Sequence, residues 1–334
     1  MRFPFRDCGS VLLFNPEVSE GIDANFYKHA QADVDGSALF WNRKGKILLT
    51  SSMNEGKARK LCKFKVMRLA SGGLSATVKK LAGRGTLGLD FDKLSARRFL
   101  SLEKLMGGRK RLVDVSERLD GLRMPKDKEE LSRISKAVKI TLDILEGLEL
   151  RRGMRESDVV RALGRTCLEN DVGFSFPPIV AYGPNAGNPH HTPTDKRIGE
   201  GVVLIDFGVR YKQYCSDISR CFFIGPAKEE QHKYEECIRL HDAILDKLHT
   251  CRTSGDYYSL AEKERERIGW PKMIHSIGHG LGLDVHEAPH VYMGSKEKLQ
   301  EGAVLTIEPG WYSEKFGVRY ENDIVWSRKK ARML

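Results

Sequence analysis

Asp206, Asp217, His279, Glu308 and Glu321 are the residues of this chain best suited to act together. Asp206 ends the apolar run 202–205, and Asp217 opens another β-like run. The segment between them, FGVRYKQYCS, reads as a hairpin with its turn near Tyr211-Lys212, which sets Asp206 opposite Asp217. Two carboxylates facing each other across a sheet repel. A cation between them, or a raised pKa on one, resolves the conflict; the plainer alternative makes one of them a solvated turn residue. Glu308 closes the apolar run AVLTI and precedes Pro309-Gly310. A carboxylate at the end of a buried strand is costly unless it is paired or bound to a metal. Glu321 stands in GVRYENDIVW, close to Arg319 and again before an apolar strand. Either glutamate alone also fits a salt-bridged strand end.

The histidines lie in HSIGHGLGLDVHEAPH, where His275, His279 and His286 sit among glycines. His275 and His279 have the four-residue spacing of a helical zinc motif. The glutamate that motif needs is replaced by Ser276, and Gly278, Gly280 and Gly282 disfavour a helix. The glycines instead let the backbone come close to a ligand or an ion. Four carboxylates and one imidazole are hard and borderline donors, suited to manganese, cobalt, zinc or iron(II). Four negative charges also balance two divalent ions. Such a pair, about 3.5–4 Å apart, can acidify a shared water and grip the oxygens of a displacement transition state. Hydrolysis is the natural reaction class.

These residues need strands to carry them. From about residue 174 the chain is rich in β-like segments with Gly and Pro punctuation: VVLIDFG, SDISRCFFIG, AVLTIEPG and DIVW. EEQHKYEECIRLHDAILDKL and SLAEKERERIG read as helices among them, so this half is α+β with non-local strand pairing. A boundary falls near Arg123-Met124-Pro125, dividing the chain into 1–122 and 123–334. After it, apolar residues at 131, 134, 138, 142 and 145 follow helical spacing. The front part alternates strands (SALFWN, KILLTS, TLGLDF) with helices (SGGLSATVKKLAG, SARRFLSLEKLMGG), and NEGKARKLCKFKV opens with Asn54 as a helix cap and ends in a β-like stretch. That order predicts an α/β domain with a parallel or mixed sheet.

Bulk properties narrow the class. A length of 334 residues suits about two domains. Seven scattered cysteines, none spaced CxxC, argue against a disulfide framework or a cysteine zinc site. No apolar run reaches the roughly 18–20 residues of a membrane span. The opening MRFPFRDCGSVLLF does not read as a secretory signal. A cytoplasmic protein is the expectation. The net charge of +11 is uneven, because residues 1–126 hold 25 Lys/Arg against 13 Asp/Glu. Only RKGK and GRKR form short clusters, and no zinc-finger or RNA-binding signature accompanies them. A solvated basic face is expected and nucleic acid is not.

The segments FPPIVAYGPNAGNPHHTPTD, LIDFGVRYKQYCSDISRCF, HSIGHGLGLDVHEAP, TIEPGWY and GVRYENDIV, taken in order, resemble the pita-bread metallopeptidases. The likeness is to their Xaa-Pro branch, proline dipeptidase (prolidase) and aminopeptidase P. It implies a creatinase-like N-terminal α/β accessory domain followed by an α+β pita-bread catalytic domain. It also implies two divalent metal ions per subunit, manganese or cobalt foremost and zinc or iron as alternatives. In that pattern Asp206 binds one ion, Asp217 and Glu321 bridge both, and His279 and Glu308 bind the other. A metal-bridging hydroxide attacks the carbonyl before proline, and Glu308 accepts the proton. His286 stabilises the oxyanion, and His190 contacts the substrate and its proline-side leaving group. Arg319 supports Glu321 or meets substrate, and His275 is auxiliary. The partners implied are a proline-containing peptide and a second copy of the chain.

Two other readings stay open. Another aminopeptidase of the same fold shares the five ligands, although the front domain and the PHH segment count against it. A non-catalytic binding module using the basic front domain is the alternative of a different class.

Overall fold

The computed structural model describes residues 3–16, 21–69 and 73–334, which form two compact units, 1–123 and 124–334. In the first unit a six-stranded mixed sheet runs in the order β4-β3-β2-β1-β5-β6. Its strands are β1 (Ser10–Phe14), β2 (Ala38–Asn42), β3 (Gly45–Thr50), β4 (Lys65–Arg68), β5 (Leu87–Leu89) and β6 (Leu112–Asp114). The helices are α1 (Ala24–Ala30), α2 (Glu55–Leu61), α3 (Gly73–Ala82), α4 (Ala96–Met106) and α5 (Ser116–Arg123). Ser71 and Gly72, with which the expected α3 segment begins, lie outside the described residues.

Alternation along the strands explains why both faces are covered. Val11, Leu13, Leu39, Trp41 and Leu48 pack into one apolar core, and Leu12, Ala38, Phe40 and Leu49 into another on the opposite face. Period-two side-chain alternation delivers apolar groups to both sides at once. Asn54 does not cap α2 with its side chain as expected; its amide donates to the Asp35 carbonyl instead. The GRKR cluster is structural. Arg111 donates to the carbonyls of Gly83, Gly85 and Met106, and Arg109 lies over Phe91 and Phe99.

The second unit opens with α6 (Lys128–Glu146), whose cap is a reciprocal pair between Asp127 and Glu130. α7 (Glu156–Glu169) follows. Short strands β7 (Gly173–Phe174) and β8 (Ile179–Tyr182) lead into the long pair β9 (Gly201–Phe207) and β12 (Ile218–Ile224). Between that pair lie β10 (Val209–Tyr211) and β11 (Tyr214–Cys215). Helices α8 (Lys228–Leu248) and α9 (Ser254–Arg267) come next. α9 starts five residues before the expected segment, at a Thr253–Asp256 capping box. The chain then returns through β13 (Val304–Ile307), β14 (Gly310–Tyr312), β15 (Gly317–Arg319), β16 (Asn322–Val325) and β17 (Arg332–Met333). β8 and β12 flank β9, while β16 joins β13 to β17, and β14 pairs with β15. One apolar core, including Leu204, Leu240, Ile244, Leu305 and Trp326, ties α8 and α9 to these strands.

The hairpin register corrects the expected one. The two-residue turn is Lys212-Gln213, with φ of 47° and 72°, so Tyr211 pairs with Tyr214 and Asp206 lies opposite Ser219. A two-residue hairpin wants left-handed residues at both turn positions, normally Asn and Gly. Lys-Gln carries no such signal, and the turn was therefore expected one residue early. Asp217 is consequently a diagonal neighbour of Asp206 on the same face, rather than its direct partner.

All seven cysteines are free thiols. No helix among the described residues is long and apolar enough to cross a membrane.

Candidate metal centre

Each acidic residue reaches the site from the end of a strand. Asp206 stands one residue before the end of β9, Asp217 just before β12, Glu308 just after β13, and Glu321 just before β16. Because β9 pairs with β12 and β13 with β16, strand ends far apart in sequence converge. The glycine-rich segment is not helical. It runs along β13, with Thr306 N donating to the His279 carbonyl at 2.9 Å and Glu308 N to that of Ile277 at 2.8 Å. A Cβ on Gly278 would lie 2.1 Å from the Thr306 carbonyl oxygen, and one on Gly280 would lie 2.4 Å from that of Glu287. One on Gly282 would lie 2.5 Å from a Glu287 carboxylate oxygen. Bare backbone is what lets His279 approach the carboxylates.

The donor atoms of Asp206, Asp217 and Glu321 lie within 4.8 Å of one another, as do those of His279, Glu308 and Glu321. Glu321 belongs to both groups. Asp217, His279 and His286 form a third set by the same measure, and the His279 and His286 rings sit edge to face with centroids 4.2 Å apart. His279 Nε2 is 3.5 Å from Asp217 Oδ2 and 3.7 Å from Glu308 Oε1.

The electrostatics of the bare cluster are unfavourable. Burial, reinforced by the charge of Asp206, pushes the Asp217 carboxyl well above its ordinary value. Burial and the charge of Asp217 do the same to Glu321. Burial pushes Glu308 up to about 7, although His279 and Arg319 pull the other way. Asp206 Oδ1 and Asp217 Oδ1 are buried with no hydrogen-bond partner among the described residues. Buried, mutually repelling carboxylates with orphaned oxygens are what a divalent cation relieves. The donor set, all oxygen and imidazole nitrogen, fits such an ion.

Arg319 is buried in the same wall. It donates from Nη2 to Asp206 Oδ2 (2.7 Å), from Nε to Ser219 Oγ (2.8 Å) and from Nη1 to the Tyr312 hydroxyl (3.1 Å). Ser219 Oγ in turn donates to Glu321 Oε2 at 2.8 Å. Arg319 therefore holds Asp206 directly and Glu321 through one hydroxyl. His275 contacts the Tyr312 hydroxyl at 2.8 Å through Nε2, and its Nδ1 lies 3.4 Å from Glu308. Burial, aided by the charge of Arg319, lowers the His275 pKa to about 4, and burial with the nearby His279 takes His286 to about 4. Both rings are neutral at pH 7.

All nine residues singled out in the sequence line one cavity of about 550 Å³. His190 reaches it from the loop after β8, while Phe176, Ile179, Val285 and Val291 give it an apolar side. Sequence reasoning missed Ser219, Tyr312 and Asp323. Asp323 Oδ2 accepts from the Asp217 amide at 3.1 Å, and burial pushes the Asp323 pKa up to about 8. Two-residue spacing was an available signal for Asp323 after Glu321 and for Ser219 after Asp217. Nothing in the sequence pointed to Tyr312.

Residues 132–328 match metallopeptidase family M24, and residues 25–125 match the creatinase/prolidase N-terminal domain. This chain belongs to metallopeptidase family M24. The M24 match covers more than half of the chain and includes every residue of the cavity wall described above. Among sequence relatives, the Xaa-Pro dipeptidase of Pyrococcus furiosus is 32% identical over 232 residues, 67% of each chain. An uncharacterized peptidase of Staphylococcus aureus is 34% identical over 228 residues, which span 65% of its own length. Solved structures align over nearly the whole M24 chain. The prolidase of Pyrococcus furiosus superposes with a TM-score of 0.86 at 26% identity, covering 97% of this chain and 95% of its own. The X-Pro aminopeptidase of Thermotoga maritima gives 0.85 at 28% identity, covering 98% and 95%. The fold of this M24 metallopeptidase is thus a creatinase-type α/β domain followed by a pita-bread catalytic domain. The family implies divalent metal ions, which the acidic cluster suits.

Proposed function

We propose that this M24 metallopeptidase hydrolyses the peptide bond before proline with two divalent ions, manganese or cobalt foremost. Asp206, Asp217, His279, Glu308 and Glu321 would hold them, with Asp217 and Glu321 shared. The observation that carries the reading is the sharing of Glu321 between two overlapping donor sets in one cavity. The names of relatives support the substrate: a Xaa-Pro dipeptidase, a prolidase and an X-Pro aminopeptidase.

When bound, the ions supply Lewis acidity, lowering the pKa of water and polarising a carbonyl. The protein side follows from its own residues. Glu308, beside the place of the attacking water, would accept its proton and return it to the departing proline nitrogen. That nitrogen carries no hydrogen in the substrate, because the ring closes on it. His286, neutral at pH 7, donates a hydrogen bond to the oxygen that becomes negative. His190, on the cavity rim, meets the proline side. Arg319 keeps Asp206 and Glu321 oriented and does not need to touch the substrate.

Substrate length follows from what the mouth of the cavity admits. Turnover of Xaa-Pro against Xaa-Pro-Yaa-Zaa with manganese, cobalt, zinc and iron(II) in turn tests the proposal. Release of the N-terminal residue from either peptide supports it; no release from either with any metal refutes it. The homodimer implied by the resemblance is tested by light scattering on the purified chain.

A further inference from the structure

Glu156, the first residue of α7, is completely buried yet lies outside the catalytic cavity. Its carboxylate is the acceptor for five hydrogen bonds, all from residues 182–194. Oε1 accepts from Tyr182 N (2.8 Å) and Asn185 Nδ2 (2.9 Å). Oε2 accepts from Thr194 N (2.9 Å), Thr194 Oγ1 (2.7 Å) and His191 Nε2 (2.9 Å). A carboxylate offers about four lone-pair sites, so its capacity is used up. Burial pushes its pKa up, but the bonds from His191, Tyr182 and Thr194 outweigh it and leave the group below its ordinary value. Glu156 is therefore an anion at neutral pH, and His191 must be the donor in their contact.

The segment that Glu156 gathers contains His190. Its other side is fixed as well. A Cβ on Gly187 would lie 2.2 Å from the Ser313 carbonyl oxygen, and one on Gly317 would lie 1.9 Å from that of Ala186. The loop is thus packed tightly on the β14–β15 hairpin, which also carries Arg319. His190 itself is exposed, and its backbone N–H donates to Asn188 Oδ1 at 3.1 Å. An exposed histidine in a loop rich in Pro and Gly keeps its place only if the flanking backbone is held.

We infer that Glu156 and His191 form a positioning device that fixes the loop so that His190 faces the cavity. Adjacent histidines then have different duties: His190 meets substrate and His191 ties the loop to α7. The inference rests on the proposed role of His190. Misplacing a positioned group by about 1 Å can cost on the order of a hundredfold in rate.

Glu156→Gln keeps the shape but turns one acceptor into an amide that faces donors. In the metal-loaded full chain it should lower kcat/KM for a Xaa-Pro dipeptide about ten- to a hundredfold, with metal content unchanged. Added to His190→Ala, it should cost less than about threefold more, since both changes remove one contribution. Amide exchange at Tyr182 and Thr194 should quicken in Glu156→Gln, with or without substrate. Losses that multiply in the double variant, or amides that stay protected, would overturn the inference. If Glu156→Gln does not fold, His191→Ala takes its place in the same comparisons, and His191→Gln, which restores an N–H donor, should recover activity. A wild-type chain inactive on every Xaa-Pro peptide would refute the proposed function instead; amide exchange alone would then decide whether Glu156 holds the loop.

Discussion

Arg319 Nη2 donates to Asp206 Oδ2 at 2.7 Å with both side chains buried, so a permanent positive charge is built into the acidic wall. Removing one partner of a buried pair costs about 3–5 kcal/mol, because the other charge is left stranded. Arg319→Lys keeps the charge but cannot span Asp206, Ser219 and Tyr312 together. Hydrogen bonds to charged groups contribute about 1.5–3 kcal/mol, so kcat/KM should fall tenfold or more. Steady-state kinetics on metal-loaded protein checks this, and activity equal to wild type would remove Arg319 from the orienting role.

Asp217→Asn and Glu321→Gln should abolish hydrolysis without unfolding the chain. Each removes a buried carboxyl whose ionisation burial and its acidic neighbours oppose, so the metal-free variants should melt at or above the wild-type temperature. Metal should add little to them, whereas saturation at a hundred times Kd stabilises a binding-competent protein by about 2.7 kcal/mol. Melting with and without manganese reads both effects. Full activity in either variant would sink the two-ion assignment.

His286→Ala should lower turnover about a hundredfold, the scale of losing one oxyanion donor, with metal content intact. The close grouping of His286 with Asp217 and His279 makes elemental analysis the deciding measurement. Loss of an ion would make His286 a ligand.

Metal-free stability contributed by the raised carboxyls should fall as pH rises from about 4 to about 8. Glu308 at about 7 and Asp323 at about 8 both sit above their ordinary values in the folded chain. The native state therefore holds protons that the unfolded chain has released. Their stabilisation is complete below the unfolded pKa values and is lost as pH rises through the folded ones. His29 acts with the opposite sign in the lower part of this window, so the fall stands alone above about 6.5. Burial lowers its pKa to about 3, so its contribution is full above about 6.5 and is lost on acidification toward 3. Melting in chelator across the higher range isolates the carboxylates, and Asp323→Asn should flatten the slope. A slope unchanged by that substitution would contradict the assignment.

The turn offers a test of the corrected register. Lys212→Asn with Gln213→Gly supplies residues that accept positive φ, and should stabilise the chain by about 1 kcal/mol. Calorimetry checks it. Destabilisation would point to the earlier turn.

The site was legible in the sequence where one side chain could be judged by its place at a strand end. Asp206, Glu308 and Glu321 each follow or precede an apolar run, and the glycines around His279 announced a close backbone approach. What was not legible depended on backbone angles or on long-range packing. Lys212 and Gln213 adopt φ values that their side chains do not favour, which hid the register by one residue. Tyr312 comes to His275 and Arg319 through the pairing of β14 with β15, and no local pattern foretells it. The front domain was legible as α/β with a parallel or mixed sheet because strands and helices alternate there, while the antiparallel β1–β2–β3 pairing and the order with β1 central required the fold itself.

The crowding around Gly278, Gly280 and Gly282 has a genetic consequence. Every single-base change that replaces a glycine brings in a residue with a Cβ or a stop signal. At these positions that carbon would meet Thr306, Glu287 or Ala288 at 2.1–2.5 Å. The stretch holding His279 thus has almost no tolerated neighbours in sequence space, and random mutagenesis libraries should return it unchanged.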